Sequence, residues 1–242
     1  MTWSILARDT DGSFGVAIAS RFFSVGALCV HTSYRVGAVC TQALMNPLYG
    51  LAAIARLAAG ESAQAVVDAL TTADAGREHR QLHLLGAGGS PAAFTGASCI
   101  DWCGHRLDAT FSVAGNMLAG PQVLDETARA YRESTGLPLA ERLLSAMAAG
   151  QRAGGDKRGQ QAAALRIHAG EDYPSLDLRV DDHESPLVEL ERLYRKSLER
   201  YQMFVACLPR RGDPVGLTDR QAIEARIEGA LADRRRTSQS IG

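Results

Sequence analysis

Lysine is almost missing from this chain of 242 residues: Lys157 and Lys196 are the only two, and arginine supplies the rest of the positive charge. No lysine amine is therefore on hand as a base before position 157, and arginine does not deprotonate to replace one. Excess charge is missing too. A formal net charge of -1 excludes a strongly basic nucleic-acid binder or a protein held on anionic lipid. No apolar run reaches the ~20 residues of a membrane-spanning helix. Arg8 and Asp9 stand where a secretory signal would need an unbroken apolar stretch, so a cytoplasmic protein is expected. The five cysteines (Cys29, Cys40, Cys99, Cys103 and Cys207) are odd in number and scattered, which argues against a disulfide framework. Cys29 and Cys40 lie in apolar runs and read as small core residues. There is no internal repeat.

The remaining composition, 46% hydrophobic and 22% charged, is that of an ordinary globular protein. Thr2–Arg8 and Phe14–Ser20 read as two strands joined by an Asp/Gly-rich turn, and residues 26–32 and 35–42 as a second strand pair. The period then changes. Residues 48–59 and 62–73 carry apolar side chains at helical spacing. Strands are predicted over 81–86, 91–95, 99–103 and 110–114, helices over 121–134 and 139–152, and strands again over 162–168 and 176–182. Strands and helices in blocks imply largely antiparallel sheets with helix pairs packed outside. Beyond Asp182, Ser185 caps a helix with Pro186 at its first position; residues 209–214 break it; Thr218 and Gln221 form a capping box for a last helix to about Arg234. The expected organisation is a domain over 1–183, a helical extension over 184–234 and a disordered tail over 235–242. The apolar faces of the extension suit a homodimer surface or packing back on the core.

Thr2 is the most informative position. Removal of Met1 leaves it with a hydroxyl and a free α-amine on one residue, and such an amine can take the hydroxyl proton as the oxygen attacks an amide carbonyl. Its reference pKa of about 7.7–8.0 suits that work. Thr2 also opens an apolar strand, which would hold the terminus in a sheet.

The stretches TWSILARD, GVAIASRFFSVGA, VGAVCTQALMNPLYG, Arg80-Gln81, TGASC, Gly104-His105, AGNMLAG, AGGDKRGQQAAAL and DLRVDDH span residues 2 to about 183. In them the chain resembles the family known as domain of unknown function 1028, itself regarded as similar to N-terminal-nucleophile hydrolases. That resemblance implies an α+β fold, a four-layer αββα sandwich, and a possible amide-bond hydrolase; it implies no substrate. A more distant likeness to proteasome-type β subunits suggests roles. Thr41 to Asn46, including Gln42, fall where an oxyanion loop would be, Gly115-Asn116 where a Gly-Ser pair would be, and Asp156 after the fourth helix.

The residues themselves allow these roles and plainer ones. Thr41, Gln42 and Asn46 end an apolar strand and could face a developing oxyanion, or Asn46 could simply start the helix at Leu48. Asn116 could bind the terminal amine or cap a helix. Asp156 could pair with the protonated amine, or belong to a glycine-ended helix turn. Arg8 and Arg21 offer positive charge; with Asn46 and His105 they are the expected substrate contacts. The catalytic set is then Thr2, Thr41, Gln42, Asn116 and Asp156, acting on a small-molecule or peptide amide with no cofactor and no metal. Three weaker constellations stand beside it. Cys99, Cys103 and His105 supply three metal ligands without a fourth. Asp181, Asp182 and His183 could hold a divalent ion or pair with Arg179. Residues 86–89 are glycine-rich but lack the following helix of a phosphate loop. The alternative to a hydrolase is a non-catalytic binding or assembly module on the same fold.

Overall fold

The computed structural model describes residues 2–239; Met1, whose trimming is expected above, and 240–242 of the predicted tail lie outside them. The chain divides into two compact units, residues 1–190 and 191–242.

In the first unit, β1 (Thr2–Arg8) and β2 (Phe14–Ser20) form the expected hairpin. Its turn closes through the Asp11 carboxylate, which accepts from Ser13 N at 2.8 Å, and Gly12 at φ 85°. Both faces of β1 and β2 are buried along nearly their whole length, which is why they read as continuous apolar runs. A four-residue helix follows, α1 (Val25–Leu28), then β3 (Val30–Ser33) and β4 (Gly37–Ala43). The strand expected from residue 26 thus starts at Val30 instead. Ser24 enters the left-handed region at φ 52°, Ala27 N closes a turn on its carbonyl, and Gly26 packs where a side chain would overlap Ala164.

Helices α2 (Pro47–Ala58) and α3 (Ala63–Thr72) follow, capped by the Asn46 and Ser62 side chains. Strands β5 (Arg80–Gly86), β6 (Ala92–Thr95), β7 (Gly104–Leu107) and β8 (Phe111–Asn116) come next. The predicted strand over 99–103 is not one. Cys99 N closes a turn on Gly96 O, and the Ile100 and Trp102 carbonyls accept from Met117 and Leu118, so the segment is a folded loop bonded to the end of β8. Helices α4 (Gln122–Glu133) and α5 (Leu139–Arg152) and strands β9 (Ala162–His168) and β10 (Leu176–Val180) complete the order, and helix α6 (Pro186–Ser197) begins in this unit and ends in the second.

All strand pairs are antiparallel. One sheet has the order β10-β9-β2-β1-β8-β7, the other β3-β4-β5-β6. Helices α4 and α5 pack on the first sheet, α2 and α3 on the second. The sheets meet through an apolar cluster in which Leu6, Val16 and Ile18 face Ala38, Cys40 and Leu85. The result is a mixed fold of two antiparallel sheets and, among the described residues, eight helices.

In the second unit, α7 (Tyr201–Val205) packs on α8 (Arg220–Gln239), and Arg200 pairs with Glu224. Asp219 rather than Thr218 starts α8, its carboxylate accepting from Gln221 N at 2.9 Å. The helix runs past Arg234 to Gln239, through part of the tail expected to be disordered. Among the described residues no helix is long and apolar enough to cross a membrane.

Candidate functional site

The hairpin places Thr2 at one end of a strand flanked on both sides, opposite Ser20 on β2 and Asn116 on β8. Thr2 Oγ1 lies 3.0 Å from Ser20 Oγ. Alternation along β1 turns Thr2, Ser4 and Leu6 toward the second sheet. Ser4 and Leu6 meet it directly.

A buried polar chain runs between the sheets behind Thr2. Ser4 Oγ donates to Gln42 Oε1 at 2.8 Å and, having spent its proton, accepts from His83 Nε2 at 2.7 Å. His83 Nδ1 is then unprotonated and accepts from Ser112 Oγ at 2.9 Å. Burial penalises the imidazolium and lowers the His83 pKa to about 3, with His105 adding to the effect, so the ring is neutral. Gln42 Nε2 donates to Gln81 Oε1 at 2.8 Å, and Asn116 Nδ2 donates to the same oxygen at 3.0 Å and to the Thr2 carbonyl at 3.4 Å. Gln81 Nε2 reaches Thr95 Oγ1, Gly104 O and Gly115 O, and Thr95 in turn bonds His105 Nδ1 at 3.0 Å. Ser4, Gln42, Gln81, His83, Ser112 and Asn116 are all buried. Buried polar groups of this kind persist when each finds a partner.

The structure separates the residues expected at the site. Gln42 and Asn116 belong to this chain of bonds, and His105 ends one branch of it. Asn116 closes β8 and is not a helix cap. Asp156 stands at the same edge as Thr2. It bridges Leu118, just beyond Asn116, and its carboxylate accepts from Arg21 N at 3.0 Å, just beyond Ser20. The same carboxylate accepts from Arg158 N at 2.8 Å and pairs with the Arg158 guanidinium. Arg21 is thereby at this edge, its guanidinium on the Arg158 carbonyl.

Thr41 and Asn46 are occupied locally. Thr41 Oγ1 accepts from Asn46 N, and Asn46 Oδ1 caps α2 on Leu48 N, both at 3.1 Å. Arg8 is not brought to Thr2. It lies six residues along β1, ~20 Å at ~3.3 Å per residue, and its guanidinium holds the Gly86 and Ala87 carbonyls. Lys157 donates to Asp101 O at 2.7 Å.

Sequence reasoning missed Ser20, Ser4, His83 and Ser112. Their signal is faint: polar residues at alternating positions in otherwise apolar strands, such as Gln81 and His83 on one face of β5. Cys99, Cys103 and His105 do not converge. Cys99 Sγ points to Arg80 O, Cys103 Sγ to Cys99 O and Asp101, and His105 to Thr95. Asp181 pairs with Arg179 at 2.7 Å, and His183 Nδ1 accepts from Ser185 N. Among the described residues no three His, Cys, Asp or Glu side chains are grouped to hold a metal.

Fold and site together define a mixed protein of two facing antiparallel sheets, with a polar seam ending at the start of the central strand. Residues 2–190 match the model of a family of unknown function, DUF1028, and the chain belongs to that family. It is similar to a DUF1028 protein from Silicibacter pomeroyi, known from a crystal structure, with 31% identity and a TM-score of 0.83 over 90% of this chain and 96% of that one. No curated protein matches it.

Proposed function

We propose that the chain is an amide-bond hydrolase of the N-terminal-nucleophile type, built on a four-layer αββα sandwich, with Thr2 as nucleophile once Met1 is removed. The observation that carries this reading is the placement of Thr2. Its hydroxyl sits at the end of a central strand, 3.0 Å from the Ser20 hydroxyl, with Asp156 fixed beside both neighbouring strand ends. Helix pairs on the outer faces of two facing sheets support the sandwich.

In the reaction the α-amine of Thr2 takes the hydroxyl proton while Oγ1 bonds to the substrate carbonyl carbon. The tetrahedral intermediate collapses, the C–N bond breaks, and the leaving amine takes the proton back from the ammonium. Water then hydrolyses the threonyl ester by the same route and frees Thr2. Lys157 is held on the Asp101 carbonyl, so in this reading the amine of Thr2 is the base, and Asp156 with Arg158 sets the charge around it. Asn116, bonded to the Thr2 carbonyl, fixes the residue that carries both groups. A homodimer belongs to the proposal, supported by the exposed Tyr201 and Phe204 of α7, and sedimentation measures it.

One observation favours a second reading, a binding or assembly module on this fold: Thr2 is only 6% exposed. Intact mass of untagged protein started at Met1, followed by labelling with a β-lactone, separates the two. The hydrolase requires loss of one methionine mass and a covalent adduct that Thr2→Ala abolishes. Retained Met1 removes the amine and leaves the binding module.

A further inference from the structure

Exposed apolar side chains gather where Thr2 begins its strand. The N-terminus of β1 shares an edge with the C-termini of β2 and β8, through the pairs Thr2–Ser20 and Thr2–Asn116. The C-terminus of β4 comes to the same edge, because Gln42, the next-to-last residue of β4, bonds Ser4 across the sheets. The segments leaving these three strands carry Phe22 and Phe23 (50% and 61% exposed), Leu44 (63%) and, bonded to the turn after β8, Ile100 (57%). Leu28 on α1 belongs to the same group, because Cys29 next to it touches Met45, the residue after Leu44. Solvated apolar side chains in such number at one strand-end edge mark a contact surface rather than chance exposure.

Backbone conformation singles out the same edge. Among the described residues, four other than glycine have positive φ: Ser24, Arg35, Ala43 and Met117. Three of them lie in the segments just described, Ala43 at the end of β4 and Ser24 and Met117 shortly after β2 and β8. The fourth belongs to the β3–β4 turn at the other end of the sheet. Left-handed conformations are unfavourable for residues that carry a side chain and persist at sites that need a fixed shape. Here Ser24 follows the exposed Phe23 and Ala43 precedes the exposed Leu44, while Met117 N bonds the carbonyl of the exposed Ile100.

We propose that this edge is the substrate subsite and that it takes an amide carrying an apolar substituent, an acyl chain or apolar side chain, next to the scissile carbonyl. The inference rests on the reading of Thr2 as nucleophile, since it is the edge at which Thr2 begins β1 that the apolar residues share. Polar contacts are sparse among these side chains, so selectivity comes from the length and width of the apolar group.

The test is binding and turnover of a series of straight-chain acyl p-nitroanilides from acetyl to octanoyl. Binding is measured by calorimetry on Thr2→Ala, turnover by nitroaniline release from the unsubstituted protein. Affinity is expected to rise up to about fourfold for each methylene that becomes buried. Phe23→Ser and Leu44→Ser, both at exposed positions, should flatten that dependence, while Leu137→Ser, an exposed leucine in the α4–α5 connection, leaves it unchanged. Chain-length-dependent binding without turnover upholds the subsite and removes the hydrolase. Turnover with no dependence on chain length keeps the hydrolase and overturns the subsite. No binding by any member overturns the subsite, as does conversion of a dimer to monomer by Phe23→Ser or Leu44→Ser, which would give the edge to a second copy of the chain.

Discussion

Ser4 Oγ lies 2.7 Å from His83 Nε2 across the gap between the sheets, and neither residue is exposed to solvent. The pair joins strands far apart in sequence and fixes the imidazole in its neutral form, with a proton on Nε2 and the Ser112 hydroxyl on Nδ1.

That state makes stability depend on pH in a defined direction. His83 is lowered to about 3 in the folded chain, against about 6.5 when unfolded. Between those values the unfolded chain binds the extra proton, so the contribution of His83 is complete above pH ~6.5 and is lost as pH falls toward ~3. Unfolding free energies from urea titration at pH 7, 6 and 5 should fall with acidification, by up to about 1.4 kcal/mol per pH unit from this residue. His83→Gln should give the shallower dependence; equal slopes would contradict the assignment.

Gly150 on α5 faces Trp3 and Thr127, and a Cβ there would overlap the Thr127 hydroxyl and meet the Trp3 indole nitrogen at 3.0 Å. Gly150→Ala should therefore destabilise by roughly 1–3 kcal/mol of overpacking, although alanine is the better helix former by ~1 kcal/mol. Thermal unfolding measures the sign, and a raised Tm would show that the helix can shift away.

Asn46 tests a structural against a catalytic role. As the α2 cap, its loss in Asn46→Ala should cost about 1 kcal/mol, while Asn46→Ser should keep most of that. Asn46→Asp should do worse than its capping ability suggests, because the Asn46 amide points at the Asp74 carboxylate. Denaturant titration of the three variants gives the order.

Asp156→Ala leaves two backbone N–H groups, Arg21 and Arg158, without their acceptor and removes an ion pair whose carboxylate is fully buried. Arg158, left without its partner, is partly exposed, so the loss comes from the unsatisfied backbone donors, and about 1–3 kcal/mol is expected in chemical denaturation. A loss under 1 kcal/mol would mean that water replaces the carboxylate easily.

Much of this was legible in the sequence, and what was not has physical reasons. Strands β1 and β2 could be bounded by residue because apolar runs end sharply at Asp9 and Arg21. Helix α1 could not, since four residues are too few to show a period and Val25 to Leu28 favour a strand as readily. Residues 99–103 hold Ile100 and Trp102, good strand formers, yet the carbonyls of both serve the end of β8. Thr2, Gln42, Asn116 and Asp156 could be named from resemblance. Ser4, His83 and Ser112 could not, because their partners come together only when the two sheets face each other.

The sheet order also sets a timetable for synthesis. β1 can pair with β2 as soon as residue 20 has emerged, but its other side waits for β8, which ends at Asn116, and β2 waits for β9, which ends at His168. At ~5–20 residues per second the hairpin spends several seconds with both flanks open. The nascent chain is therefore most exposed to mispairing through its first, most apolar strands, and a ribosome-bound chaperone would find them before their own partners exist.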